Sequence, residues 1–226
     1  MLESGWTASI DIYCERTDPS FWSEPLNAAS NAAFLIAALA ALVLWRRSSA
    51  RDWPALALIL VLTAIGIGSF LFHTFADRWS ILADVIPITI FIYVYFFFAM
   101  RRFFGFGLAV SLVLTAMFLV ISIVIDRAVP SNVLNGSVGY LPALFVILLV
   151  GALILRRRPD IGRPVLIAGV VFLVSVTFRS IDMAVCESFP IGTHYAWHVL
   201  NAVTLYILIR TMILAGSPAG RAPTAR

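Results

Sequence analysis

Thr193-His194-Tyr195-Ala196-Trp197-His198 opens an apolar run that continues to Leu214, and the reading of that run decides the fold. About 20 mostly apolar residues suffice to cross a bilayer as a helix. Side chains at i and i+4 project from one helix face, so His194 and His198 can aim their ring nitrogens at a single ion. The chain has 3 histidines in all. The third, His73, ends Ser69-Phe70-Leu71-Phe72-His73, with the Ser69 hydroxyl one turn away on its own face. Every histidine of an otherwise oily sequence thus lies in one of two short motifs.

The rest of the chain repeats the apolar pattern. Hydrophobic residues make up 61% of it and charged residues 12%, where a soluble domain runs to about half and about a quarter. Besides 193–214, spanning helices are expected over 27–45, 54–72, 80–100, 105–125, 139–155 and 164–185. The chain is therefore read as an all-α membrane protein, a bundle of seven transmembrane helices. Residues 1–26 form an exposed N-terminal segment, 27–215 the bundle, and 216–226 a flexible tail. Pro54 and Pro164 are placed in first helical turns, where proline is tolerated, and Pro87 is a candidate kink in the third span.

Arginine sets the orientation. All 16 basic residues are arginine, and the absence of lysine rules out chemistry built on a lysine Schiff base, retinal binding included. Arg46, Arg47 and Arg51, then Arg101 and Arg102, then Arg156, Arg157, Arg158 and Arg163 fall in the first, third and fifth loops, with Arg221 and Arg226 in the tail. The N-terminal segment and the even loops, around Asp77, Asp126 and Glu187, are neutral or acidic. The positive-inside rule then puts the N-terminus outside and the C-terminus in the cytoplasm. Residues 1–24 carry acids in place of a basic start and an apolar core, so they read as mature sequence and not as a cleaved signal. Lysine-free, Ala- and Arg-rich usage points to a bacterial inner membrane with this end towards the periplasm. The expected partners are the bilayer and its lipids, with no nucleic acid.

In that orientation the unusual polar residues share the outer level. Ser69 and His73 end the second span, Asp84 lies about one turn into the third, Arg179 and Asp182 end the sixth, and His194 and His198 start the seventh. Cys14 and Cys186 are there too, enough for one disulfide in an oxidising compartment. Ionisable groups inside a membrane are costly and mark cavities or partners. Three imidazoles with a carboxylate nearby suit a catalytic zinc with one open position, whereas a lone histidine near a helix end commonly sits at the interface, bonded to water or headgroups. Asp84 is either a general base towards metal-activated water or a carboxylate resting on the helix dipole, with Ser80 as cap. Ser69 either donates to an oxyanion or bonds the i−4 carbonyl. Arg179 and Asp182, at i and i+3, are read as neutralising one another, with contact to a polar lipid head as the alternative. The aromatic run 91–98 and Trp45, Trp53 and Trp79 are read as lipid-facing bulk and interfacial belts. No inverted repeat or pair of broken helices marks a transporter.

Together these motifs resemble the alkaline ceramidase family, part of a superfamily of seven-helix membrane hydrolases that includes adiponectin-receptor-like proteins. Ser69-x-x-x-His73 with Asp84 at an interval of 11 residues, His194-x-x-Trp197-His198, Asn27-x-x-Ser30-Asn31, Asp182 ahead of Cys186, and Cys14-Glu15 each match a family motif. Val85 departs from it, where Glu is usual. The resemblance implies that His73, His194 and His198 hold zinc, that Asp84 moves the proton and Ser69 stabilises the oxyanion, and that Cys14 and Cys186 form a disulfide. It also implies a calcium site mapping onto Asp11, Glu15 and Glu24, with Asp11 offset by one residue and Thr17 where Asn is expected. The function expected is zinc-dependent hydrolysis of a lipid amide, ceramide or a related N-acyl lipid, releasing a fatty acid. The same chemistry serves an ester-cleaving, phospholipase-like hydrolase. A receptor with structural zinc is the alternative outside catalysis, and it would close the fourth metal position.

Overall fold

The seven apolar stretches become seven helices in the computed structural model, which describes residues 5–48, 51–130 and 132–216. They are α1 (Pro25–Arg47), α2 (Trp53–Phe75), α3 (Arg78–Phe103), α4 (Leu108–Ala128), α5 (Val138–Leu155), α6 (Pro159–Ile181) and α7 (His194–Gly216). Their 18 to 26 residues reach about 27 to 39 Å at 1.5 Å per residue, against about 30 Å for a hydrocarbon core. Each is long and apolar enough to cross a membrane, and no strand occurs among the described residues. The expected tail beyond Gly216, with Arg221 and Arg226, lies outside the described residues.

Consecutive helices pack side by side, and α7 closes the ring against α1 while also touching α2 and α3. The aromatic run of α3 does not face lipid as a block. Phe91 and Tyr95, at i and i+4, turn into the core and stack at 5.9 Å, because α2, α4 and α7 all pack on this helix. At the end away from the histidines, Arg102 pairs with Asp52 and donates to the Met212 carbonyl at 2.6 Å, which ties α2, α3 and α7 together there.

Two helix starts differ from expectation for local reasons. Asp77, not Ser80, caps α3: its carboxylate accepts the Ser80 N–H while the Ser80 hydroxyl accepts the Asp77 N–H, a capping box that begins the helix at Arg78. In α6 it is Pro159 that takes the tolerated first position, which leaves Pro164 inside the helix.

Pro87 lacks the N–H that would bond the Ala83 carbonyl. That freed carbonyl faces Gly68 of α2, where a Cβ would lie 1.9 Å from Ala83 O. Glycine therefore lets α2 and α3 meet backbone to backbone, and the next residue along each, Ser69 and Asp84, become neighbours. Gly68→Ala is expected to push the helices apart and cost about 1–3 kcal/mol, read as a lower thermal midpoint in detergent. Gly66→Ala, whose Cβ would meet Leu35 Cδ2 and Phe34 Cβ at 3.0 Å and no backbone atom as near as that, should cost less; equal effects would remove the special role of the Ala83 contact.

The N-terminal segment is exposed at residues 5–7, 9, 11–12 and 17–22, and between these stretches it folds back onto the bundle. Ile10 donates to the Ala76 carbonyl at 2.7 Å and Trp79 to that of Trp6 at 3.1 Å. A disulfide joins Cys14 to Cys186, with their Cα atoms 5.5 Å apart. Tyr13, Glu15, Arg16, Ser23 and Glu24 are buried as the segment folds over the end where α2 finishes and α7 starts.

Candidate metal centre

Helix geometry puts His73 in the last turn of α2 and His194 and His198 in the first turns of α7, and contact between these helices brings the three together. Each offers one nitrogen, and the three nitrogens lie within 4.8 Å of one another. Ring centroids are 4.6 to 5.1 Å apart, and all three residues are buried. Among the described residues no other group of His, Cys, Asp and Glu side chains gathers in this way.

Neighbours fix each ring. His73 Nδ1 meets Glu24 Oε2 at 2.6 Å, and its Nε2 is buried without a partner. His198 Nδ1 meets the Ser30 hydroxyl at 2.7 Å. That hydroxyl already donates to the Asn27 carbonyl, so it accepts from the imidazole and puts the proton on Nδ1, leaving the Nε2 lone pair free. His194 lies under Tyr13 with ring centroids 3.6 Å apart, and its Nδ1 is likewise buried and unpartnered. Buried polar atoms ordinarily find partners. Orphaned imidazole nitrogens in one cluster fit a divalent metal that favours nitrogen ligands.

Glu24 is the second contact of His73. Its Oε1 accepts from Arg16 Nε at 2.5 Å and its Oε2 from Asn27 Nδ2 at 3.1 Å. Burial alone would raise its pKa, but hydrogen bonds and charge from His73 and Arg16 hold it below the usual carboxylate range. Glu15 serves α1 instead: its two oxygens accept the Leu26 and Asn27 N–H groups at 2.7 and 2.8 Å, a favourable place for a carboxylate, although burial pushes its pKa up. Asp11 is exposed. Among the described residues Asp11, Glu15 and Glu24 do not form a cluster of the kind the three histidines form. Arg16 supplies the positive charge beside Glu24 and also donates to the His73 carbonyl at 3.3 Å.

Asp84 is the seventh residue of α3, past the first turn where the helix dipole would account for it. Its Oδ1 is buried without a partner, and the Ser69 side chain is close enough to favour its charged form. Ser69 makes no bond to the i−4 carbonyl, in contrast to Thr63, Ser122, Thr177 and Thr204 in their own helices.

The pair expected between Arg179 and Asp182 does not form. Asp182 accepts from the N–H groups of Cys14, Thr193 and His194 at 2.6 to 2.9 Å. The open N-terminus of α7 and the disulfide-bearing segment both claim a buried carboxylate, and they orient His194. Gly192, at φ +64°, is needed here because a Cβ would lie 2.3 Å from Asp182 Oδ1. Beyond the histidines, an apolar cavity begins one turn from His198 at Asn201, with Ile65, Phe91, Tyr95, Tyr140 and Phe172 in its wall.

A membrane-spanning helical bundle that buries three convergent histidines at the head of an apolar cavity belongs to the polytopic proteins with a candidate metal site inside the membrane. More specifically, the chain belongs to the ceramidase family, whose model matches residues 6–221. Among curated proteins none matches it. Family membership makes the protein a hydrolase of amide bonds with a lipid substrate in the bilayer, in line with the resemblance of its motifs.

Proposed function

We propose that the protein is a zinc-dependent hydrolase that releases a fatty acid from ceramide or a related N-acyl lipid. The observation that carries this reading is the convergence of His73, His194 and His198 at the head of an apolar cavity, with Asp84, whose Oδ1 is unpartnered, within electrostatic reach of His73. Zinc held by the three imidazoles supplies a Lewis acid for the amide carbonyl and lowers the pKa of water to about 7. His73, His194 and His198 would hold the ion, and among the described residues no fourth His, Cys, Asp or Glu ligand gathers with them, which supports catalysis over a structural ion. Asp84 takes the proton of the attacking water at Oδ1 and returns it to the leaving nitrogen. Ser69 donates its hydroxyl hydrogen to the oxygen on which charge develops. The cavity takes the acyl chain, and the polar head lies towards the N-terminal segment. The arginine distribution supports placing that end outside, towards the periplasm of a bacterial inner membrane.

Metal analysis of the purified protein, with fatty-acid release from N-acyl and O-acyl lipids of one chain length, tests this. About one zinc per chain with chelator-sensitive amide cleavage is the expected result. Active protein without metal, or cleavage of esters alone, would sink it.

Glu24 orients His73 through Nδ1, as outer carboxylates do for metal-binding histidines. Glu24→Gln is expected to weaken zinc binding about 10–100-fold, measured by competition with a chromogenic chelator. Unchanged affinity would show that the carboxylate does not set the ring.

A further inference from the structure

Arg179 is a buried charge that neither the metal centre nor the helix packing neutralises. It keeps 8% of its exposure, and among the described residues no carboxylate pairs with it. The carboxylate whose field reaches it from farther off is Asp84. Its bonds go to neutral acceptors: the Asn135 carbonyl at 2.8 Å, the Ser137 hydroxyl at 2.8 Å and the Tyr13 hydroxyl at 3.2 Å. The rings of Tyr13, Tyr140 and Trp197 lie 5.2 to 5.9 Å from the guanidinium carbon. A guanidinium has five N–H donors, so Nε–H and one Nη2–H find no acceptor among the described residues.

A buried cation without its anion is costly. The chain nevertheless builds for it, holding Leu134 and Asn135 at φ +51° and +50° where the Asn135 carbonyl is presented to Arg179. Location gives the cation a use. Tyr13 stacks on His194 by its face and meets Arg179 by its hydroxyl, whose own hydrogen remains free to donate. Tyr140, also against the guanidinium, forms part of the cavity wall. Arg179 therefore stands one tyrosine from a candidate metal ligand, between the cavity and the N-terminal segment.

Resting on the amide-hydrolase reading, we infer that Arg179 and the Tyr13 hydroxyl bind an oxyanion on the amine half of the substrate, a carboxylate or phosphate close to the amide nitrogen. The preferred substrate is then an anionic N-acyl lipid. Hydrolysis gives a fatty acid and an amine that carries the anion away.

Two matched pairs test this: N-palmitoylglycine against N-palmitoylethanolamine, and ceramide 1-phosphate against ceramide. Wild type is expected to favour the anionic member of at least one pair by about tenfold or more in kcat/KM, mainly through KM, the scale of a hydrogen bond to a charged group. The responding pair identifies carboxylate or phosphate. Arg179→Gln should reduce that preference about tenfold, with part retained in Arg179→Lys. Equal losses on both members, or a wild-type preference for the neutral lipids, would overturn the inference and make Arg179 a strut for residues 133–138. Binding of the same four lipids to metal-loaded wild type and Arg179→Gln decides the matter without turnover. Anion preference in Kd without hydrolysis would sink the amide-hydrolase reading alone, whereas hydrolysis without anion preference would sink the anion site alone.

Discussion

Asp84→Asn is expected to lower kcat about 10²- to 10⁴-fold while the protein keeps its metal and its thermal midpoint. Asparagine matches aspartate in shape but cannot accept and return a proton. The Oδ1 of Asp84 is unpartnered, so the exchange breaks no bond at that atom. The Gly68 and Ala83 contact that brings α2 and α3 together is backbone to backbone and is untouched. Asp84 is also not among the three convergent ligands, so metal stoichiometry should hold at the wild-type value. Initial rates at saturating lipid, with metal analysis of the same preparation, separate the outcomes. Near-normal turnover would move the general base elsewhere, and loss of metal would make Asp84 a ligand.

The elements of this centre differed in how far the sequence disclosed them. His73, His194 and His198 were legible because helical periodicity turns spacing into faces, and the apolar runs turn position into depth. Their meeting was not, because it depends on α7 closing against α1 and α2 and on the carbonyl that Pro87 frees for Gly68. Glu24 was named only for a calcium site that the resemblance implies; its contact with His73 requires the N-terminal segment to fold back, and a loop has no period to announce that. For Arg179 and Asp182, closeness in sequence suggested a pair, but the N-terminus of α7 outbid a guanidinium three residues away. Burial of Phe91 and Tyr95 was hidden because, in a membrane, core-facing and lipid-facing positions are equally apolar.

Replacing a histidine of the centre should have the opposite signature to Asp84→Asn. His198→Ala is expected to abolish stoichiometric zinc and bring fatty-acid release to background, a loss beyond the about 10–100-fold in affinity that follows removal of an outer partner. Two imidazoles remain, too few for the three-ligand set of a catalytic zinc. The fold should survive, because Ser30 keeps its bond to the Asn27 carbonyl and the disulfide still holds the N-terminal segment over the site. His73→Ala should lose metal in the same way, and there too the fold has support, since Arg16 continues to pair with the buried Glu24. Metal content, activity and thermal midpoint measured together distinguish the cases. Zinc retained at one per chain with turnover lost would make the histidine a participant in the chemistry and place the metal on other residues; zinc and midpoint lost together would make the ion a structural one, as in a receptor.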